Sequence, residues 1–334
     1  MQIKQKKKAK LLYLMDILER KTDEEHSLCA NDLCECLEKY NISAERKSVY
    51  SDIETLREFG MDIVKTHTPS RGYFLASRLF ELAEIRLLID AVQAAYFIPQ
   101  KKTRSLIKKI SSLVSDSQME MLNKQVYVDS RIKTKNEQIY YSIDIIHKAI
   151  IANKQIKFLY HKKRVLDHYS VSTDEKEFVV NPYALIWSND HYYLVCNKIN
   201  YNNLIHIRLD RIKKVALLDS KARHFSQVSN YKNSFNQADY ASKLFNMFSG
   251  SIEPLELICS DSILEEINDR FGDAVPCRRY DDKHFIIRTD AVISEGLVSW
   301  IMQYGSNIRV SEPENLRQSV INRAKETIKS NERS

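Results

Sequence analysis

The sequence predicts a multidomain α+β protein, with helices and a small hairpin at the N-terminus and two further strand-containing layers behind them. Three observations carry that expectation. At 334 residues the chain exceeds one ordinary core, and its length suggests two or three domains. Apolar residues recur at helical spacing near the N-terminus, and from about residue 139 the pattern turns to short strands with tight polar turns. Beyond residue 251, strand and helix patterns alternate.

Hydrophobic residues make up 43% and charged residues 28%, the balance of a globular chain rather than a disordered one. No apolar run approaches the ~18–20 residues that a membrane span needs. Lys4, Lys6, Lys7, Lys8 and Lys10 precede an apolar run that Asp16 interrupts, and no small-residue cleavage site follows, so no signal peptide is expected. The six cysteines lack a disulfide spacing, which fits a reducing cytoplasm. The net charge of +7 is unevenly spread. Residues 1–76 hold 13 basic and 13 acidic side chains, whereas residues 101–135 hold 9 against 3 and residues 136–222 hold 13 against 9. A uniformly basic, non-specific nucleic-acid binder has a different distribution. The basic excess at 101–135 fits either a solvated helix face or a second anion-binding surface.

Residues 10–19 read as a helix with Leu11, Leu14, Met15 and Leu18 on one stripe. Asn31 or the residue before it can cap a second helix, with Leu33 and Leu37 inward. Ser43 offers a cap to a third helix that ends at Gly60, with Val49, Ile53 and Leu56 buried. Ile63-Val64 and Tyr73-Phe74-Leu75 then form two short strands around a polar loop. Three helices followed by a hairpin is the order of a winged helix-turn-helix. Its third helix presents Arg46, Lys47, Ser48, Tyr50 and Ser51 where a recognition helix meets bases and phosphates. Lys65, His67 and Arg71 lie on the wing, suited to an adjacent backbone or minor groove. A plain three-helix unit with one basic face is the competing reading.

The stretch Ala44-Glu45-Arg46-Lys47-Ser48-Val49-Tyr50-Ser51-Asp52-Ile53-Glu54-Thr55-Leu56-Arg57 resembles the recognition-helix signature of DeoR-type regulators that carry a WYL domain. The resemblance implies that Asp52 stabilises or orients the helix while basic and hydroxyl residues touch DNA. Position 51 is often Arg or Asp in that family and is Ser here, so operator preference does not carry over. Residues 80–96 are helical with Leu82, Ile85, Leu88, Ile89 and Val92 on one stripe, and Thr103 can start another helix after Pro99. The runs Leu79-Phe80-Glu81-Leu82 and Leu88-Ile89-Asp90-Ala91-Val92 resemble the family's linker, which implies a homodimer.

Gln155-Ile156-Lys157-Phe158-Leu159-Tyr160 alternates as a strand before a polar turn at His161-Lys162-Lys163-Arg164. Residues 178–187, 191–196 and 204–212 supply further strands, indicating a small, bent sheet or barrel. These pieces resemble the WYL domain, whose fold is an Sm-like β-barrel. The namesake Trp-Tyr-Leu corresponds to Tyr192-Tyr193-Leu194, a departure at the first position, and Pro182 and Arg208-Leu209-Asp210-Arg211-Ile212 match. Alternation places Leu204, His206, Arg208 and Asp210 on one strand face. Of these, His206 and Arg208, with Tyr160, Tyr183, Tyr193 and Arg211, form a candidate site that pairs with phosphate and stacks on a base. The resemblance favours a nucleic-acid or nucleotide-like effector. Core tyrosines with wet hydroxyls and surface ion pairs are the alternative.

Residues 223–250 read as a polar connector with a short helix at 241–248, and residues 251–334 as a small ferredoxin-like layer. Leu297-Val298-Ser299-Trp300 and Val310-Ser311-Glu312-Pro313 resemble the WCX-type extension that accompanies many WYL domains. The expected boundaries are 1–76 for the winged helix-turn-helix, 77–135 for a helical dimerisation linker, 136–222 for the WYL domain, 223–250 for the connector and 251–334 for the extension. His26, Cys29, Cys34 and Cys36 match no standard zinc spacing, so no metal and no cofactor are expected. Six glycines and the absence of P-loop, Rossmann, G-x-S-x-G and H-E-x-x-H motifs point away from an enzyme. The expected function is a cytoplasmic regulator binding a double-stranded operator, its WYL domain sensing a ligand. The alternative is an RNA- or single-stranded-DNA-binding accessory factor, for example in a defence system, acting through the Sm-like surface.

Overall fold

The apolar stripe anticipated on the first helix lies inside a longer element: α1 spans Gln2–Lys21 and buries Leu14, Ile17 and Leu18. The computed structural model describes residues 2–125, 133–165, 171–229, 231 and 235–332, so part of the basic 101–135 segment and of the 223–250 connector lies outside the described residues. The chain divides into two units, Met1–Lys135 and Asn136–Ser334.

In the first unit, α2 spans Ala30–Glu38 and α3 spans Arg46–Glu58. The cap of α2 is Cys29 rather than Asn31 or its predecessor, because the Asp32 carboxylate reaches back to accept the Cys29 N–H at 2.7 Å. Ser43 does not cap α3 either: Ile42 is drawn into the core and the chain stays extended through Glu45. Gly60 ends the segment with φ +108°, as a left-handed terminator does. Val49, Ile53 and Leu56 pack with Leu14, Leu18, Leu33 and Leu37 in one core.

The hairpin pairs β1 (Ile63–Thr66) with β2 (Gly72–Leu75) antiparallel. Leu28 joins it through two backbone bonds with Tyr73, at 3.0 and 2.8 Å. Only glycine fits beside that bridge, since a Cβ on Gly72 would meet the Leu28 backbone at 2.6 Å. Behind it come α4 (Leu82–Ala94), α5 (Gln100–Ser111) and α6 (Asp116–Gln125). Ile85 and Ile89 pack against Ile107, Val114 and Leu122. Helix α5 begins directly after Pro99, which caps its entrance, and not at Thr103, which is buried inside the helix. The sequence pattern had singled out no helix at α6.

The second unit begins with α7 (Ile139–Ile151), then β3 (Lys154–Val165), β4 (Val171–Ser188), β5 (His191–Lys198), β6 (Ile205–Arg208) and β7 (Ile212–Lys221). Residues 161–164, expected as a turn, continue β3 because each finds a partner on β4: His161 faces Glu175, Lys162 faces Asp174, and Arg164 lies within 3.6 Å of Asp174. The sheet is antiparallel with order β6-β5-β4-β3-β7. Among the described residues no ladder joins β6 to β7, so the hydrogen-bonded circle of a closed barrel is not formed.

The connector helix α8 spans Gln237–Ser242, ending before the expected 241–248 helix could form, and Asn246 and Met247 take positive φ. The last layer runs β8 (Ser251–Ser260), α9 (Leu264–Phe271), β9 (Cys277–Asp281), β10 (His284–Ile293), α10 (Glu295–Gln303), β11 (Ile308–Glu312) and α11 (Glu314–Asn331). Its strands are ordered β11-β8-β10-β9 and antiparallel throughout, the connectivity of a split βαβ pair. Leu255, Leu257, Cys259, Phe285 and Ile287 face Ile267, Leu297, Ile301 and Leu316 of the helices. Gly296 lets α10 approach the connector, where a Cβ would sit 2.1 Å from the Phe245 carbonyl oxygen. Among the described residues, no helix is long and apolar enough to cross a membrane.

Candidate nucleic-acid interface and effector surface

Helix α3 turns its buried stripe inward and leaves Arg46, Lys47, Tyr50 and Ser51 exposed. Ser48 is placed differently: it is half-buried and accepts a hydrogen bond from Lys10 Nζ of α1. The same ammonium pairs with Asp52 at 2.6 Å, and both side chains are largely covered. Lys10 therefore ties α3 to α1 from the inner side of the helix. Sequence reasoning had counted Lys10 only as terminal charge; its partners are 38 and 42 positions away, and no spacing rule reaches that far.

The hairpin carries Lys65 and Arg71, both exposed, with His67 on its loop. Tyr73 links hairpin to helix: its ring lies 6.2 Å from that of Tyr50, 6.0 Å from Lys65 Nζ and 5.8 Å from the Arg57 guanidinium. Burial raises the Tyr73 phenol above its ordinary value, so it stays neutral and acts as a packing platform. The face thus offers four cations, Arg46, Lys47, Lys65 and Arg71, and two flanking polar side chains.

On the five-stranded sheet the candidates separate. Tyr160 and Arg211 meet, the Arg211 Nη1 donating to the phenol oxygen at 3.4 Å, and Arg211 is exposed. Tyr193 stands opposite Arg208 in the β5–β6 ladder. Asp210 lies in the 3-10 turn that follows β6, not on the strand, and clasps Arg208 with two bonds of 3.0 and 2.8 Å. His206 is turned inward, its ring nitrogens 2.9 Å from the Tyr240 hydroxyl and 3.2 Å from Ser249 Oγ. Burial pushes its pKa down to about 4, so the imidazole is neutral near pH 7. Tyr183 donates its hydroxyl to the Arg223 carbonyl at 2.9 Å, and burial raises its pKa far above the usual phenol value. The sheet therefore gathers Tyr160, Tyr193, Arg208 and Arg211, while His206 and Tyr183 hold the connector. Two neighbours of the gathered set went unselected: Asp210, and His191, whose ring centroid is 6.2 Å from that of Tyr193 and whose pKa is lowered by burial and then by Arg208.

Residues 142–217 match the WYL domain and residues 252–328 match the WCX domain. Over 312 residues the chain is 23% identical to the uncharacterized HTH-type transcriptional regulator YobV of Bacillus subtilis (strain 168), covering 88% of this chain and 90% of that one. The chain thus carries a WYL domain followed by a WCX domain, and it is similar over most of its length to an HTH-type transcriptional regulator. Among solved structures it is similar to proteasome accessory factor B/C (PafBC) of Arthrobacter aurescens, at 14% identity and a TM-score of 0.28. That match covers 93% of this chain but spans only 47% of the PafBC chain. A CRISPR Cas-related protein matches at 12% identity and a TM-score of 0.39, over 75% of this chain and 73% of its own. Within the matched WYL domain, Leu194 is buried and Tyr192 and Tyr193 are half-buried.

Proposed function

We propose that this WYL-domain protein is a transcriptional regulator that binds a double-stranded operator through α3 and senses an effector on its WYL sheet. The N-terminal unit acts as a winged helix-turn-helix, with α3 in the major groove and the β1–β2 hairpin as the wing. The observation that carries this reading is the outer face of α3: Arg46, Lys47, Tyr50 and Ser51 are exposed together while Lys10 braces Asp52 and Ser48 from behind. Because this segment is charge-neutral, affinity rests on a few placed contacts rather than on bulk attraction. The WYL domain, an Sm-like module in this reading, offers Tyr160, Tyr193, Arg208 and Arg211 to a nucleic-acid or nucleotide-like effector.

Residues 77–135 serve as the dimerisation linker. The outward side of α4 exposes Leu87 and Leu88, and Leu79 ahead of it is 85% exposed, an apolar strip that a second copy would cover. A sedimentation experiment at micromolar concentration is expected to show a dimer; a monomer removes this part of the reading. Effector binding then shifts the balance between two dimer arrangements by its different affinity for each.

The deciding experiment compares binding to the gene's own upstream duplex with binding to single-stranded oligonucleotides. Replacing Arg46 and Lys47 with Ala together is expected to abolish duplex binding and leave single-strand binding intact. If that variant loses single-strand binding while Arg208→Ala is harmless, the assignment of the two surfaces is wrong, and an accessory factor acting on single strands takes its place.

A further inference from the structure

The WCX sheet has a second face that its helices do not cover. Leu257 and Cys259 of β8 and Phe285 and Ile287 of β10 pack on the helices, so the alternating residues Ile258, His284 and Ile286 point the other way. Arg309 of β11 stands beside Ile258 in register. At the far edge the β9–β10 pairing slips by one residue: His284 faces Asp281 and Phe285 faces Arg279, leaving Tyr280 as the extra residue of a bulge. Bulges re-aim side chains. Here Tyr280 reaches Arg309, whose guanidinium lies 5.6 Å from the ring centre and donates to the phenol oxygen at 3.2 Å.

These residues and Ser306 line a recess of about 230 Å³ with Ile258 as its apolar floor. Its one carboxylate is engaged. Asp281 takes His284 Nδ1 at 2.7 and 2.9 Å and the Lys283 N–H at 2.9 Å. With Nδ1 turned to the Asp281 carboxylate, the imidazole's other ring nitrogen is left for a ligand. Arg309 gives one N–H to the Tyr280 oxygen and has further N–H groups to offer an anion. The other polar groups are two hydroxyls, Tyr280 and Ser306. A guanidinium, an imidazole and two hydroxyls around one small recess are the donor set of a tetrahedral oxyanion that carries more than one charge and can share a proton.

We propose that this recess binds a phosphate-ester anion, held by Arg309, His284, Tyr280 and Ser306, as a site separate from the WYL surface. The chemistry is met by free phosphate or by the phosphate of a small ester such as a mononucleotide. Equilibrium dialysis of the full-length protein against inorganic phosphate and against a mononucleotide, each with sulfate as competitor, tests it. Saturable binding is expected, weakened about tenfold or more by Arg309→Gln and by His284→Gln. Arg279→Gln removes the same charge from the same sheet but from a guanidinium held by Asp261 at 2.7 Å, and it is expected to bind as the unmodified protein does. All three side chains are partly or wholly solvent-facing, and unchanged thermal midpoints verify that the variants fold. Equal affinity for the two probes places the contacts on the phosphate alone, and a tighter mononucleotide adds the ester portion; both support the site. No saturable binding, undiminished binding in Arg309→Gln, or sulfate competing as well as phosphate overturns it.

Discussion

Helix α3 and the WYL sheet each set an aspartate against a cation, with opposite consequences. On α3, Asp52 pairs with Lys10 from another helix, and the candidate DNA contacts stay exposed. On the sheet, Asp210 clasps Arg208, which is itself a candidate contact. The first aspartate braces a surface; the second occupies part of one. A helix separates an inner from an outer face by its 3.6-residue period, so one ion pair can serve the inner face without touching the outer. On the sheet the connector covers part of the same face, so neighbours two apart diverge: His206 meets Tyr240 and Tyr183 meets the Arg223 carbonyl, while Arg208 is held by Asp210.

Three experiments sharpen that contrast. The largest effect is expected from Arg46→Ala with Lys47→Ala: at ~1–3 kcal/mol for each good contact, duplex affinity falls by about a hundredfold or more. Circular dichroism and the thermal midpoint stay unchanged, because both side chains are exposed. A binding loss under tenfold moves the interface off this face.

Next is the inward histidine. His206 is held down at about 4 against an ordinary 6.5 by burial. Below pH 6.5 the unfolded chain takes up a proton that the folded chain refuses until about pH 4, so this group removes stability as pH falls through that window and is neutral above it. Urea unfolding of the full chain is expected to lose roughly 2 kcal/mol between pH 7 and pH 5 from this source. His206→Gln should flatten that part of the profile. An unflattened profile returns His206 to the open surface as a candidate ligand contact.

The smallest effect concerns the clasp. Asp210→Asn keeps the shape of the 3-10 turn but removes the charge that neutralises Arg208. Binding of a single-stranded oligonucleotide to the full-length protein is expected to tighten a few-fold, by about 1 kcal/mol or less, as for a partly exposed ion pair. Weaker binding in this variant shows instead that Asp210 presents Arg208 in its working orientation.

Much of the first unit was legible before folding. The stripes Leu14/Leu18, Leu33/Leu37 and Val49/Ile53/Leu56 are the observed core, since helical periodicity is local and burial follows it. The helix starts were not: Cys29 and Glu45 precede α2 and α3 because the reach of Asp32 and the burial of Ile42 decide, and neither is a propensity. The extension of β3 through Arg164 was hidden for a related reason. A charged tetrapeptide reads as a turn until the facing strand supplies Glu175 and Asp174.

What the sequence alone determined is the order of the units, the buried stripes and the outer face of α3, all consequences of periodicity along one element. The third helix presents Arg46 and Lys47 because Val49 and Ile53 must be buried. Only the tertiary structure decided which polar residues remain available. Lys10 finds Asp52 across 42 positions, His206 meets Tyr240, and Tyr280 meets Arg309 through a bulge. These pairings depend on which elements pack together, and hydrogen bonds between distant residues leave no spacing in the chain to read.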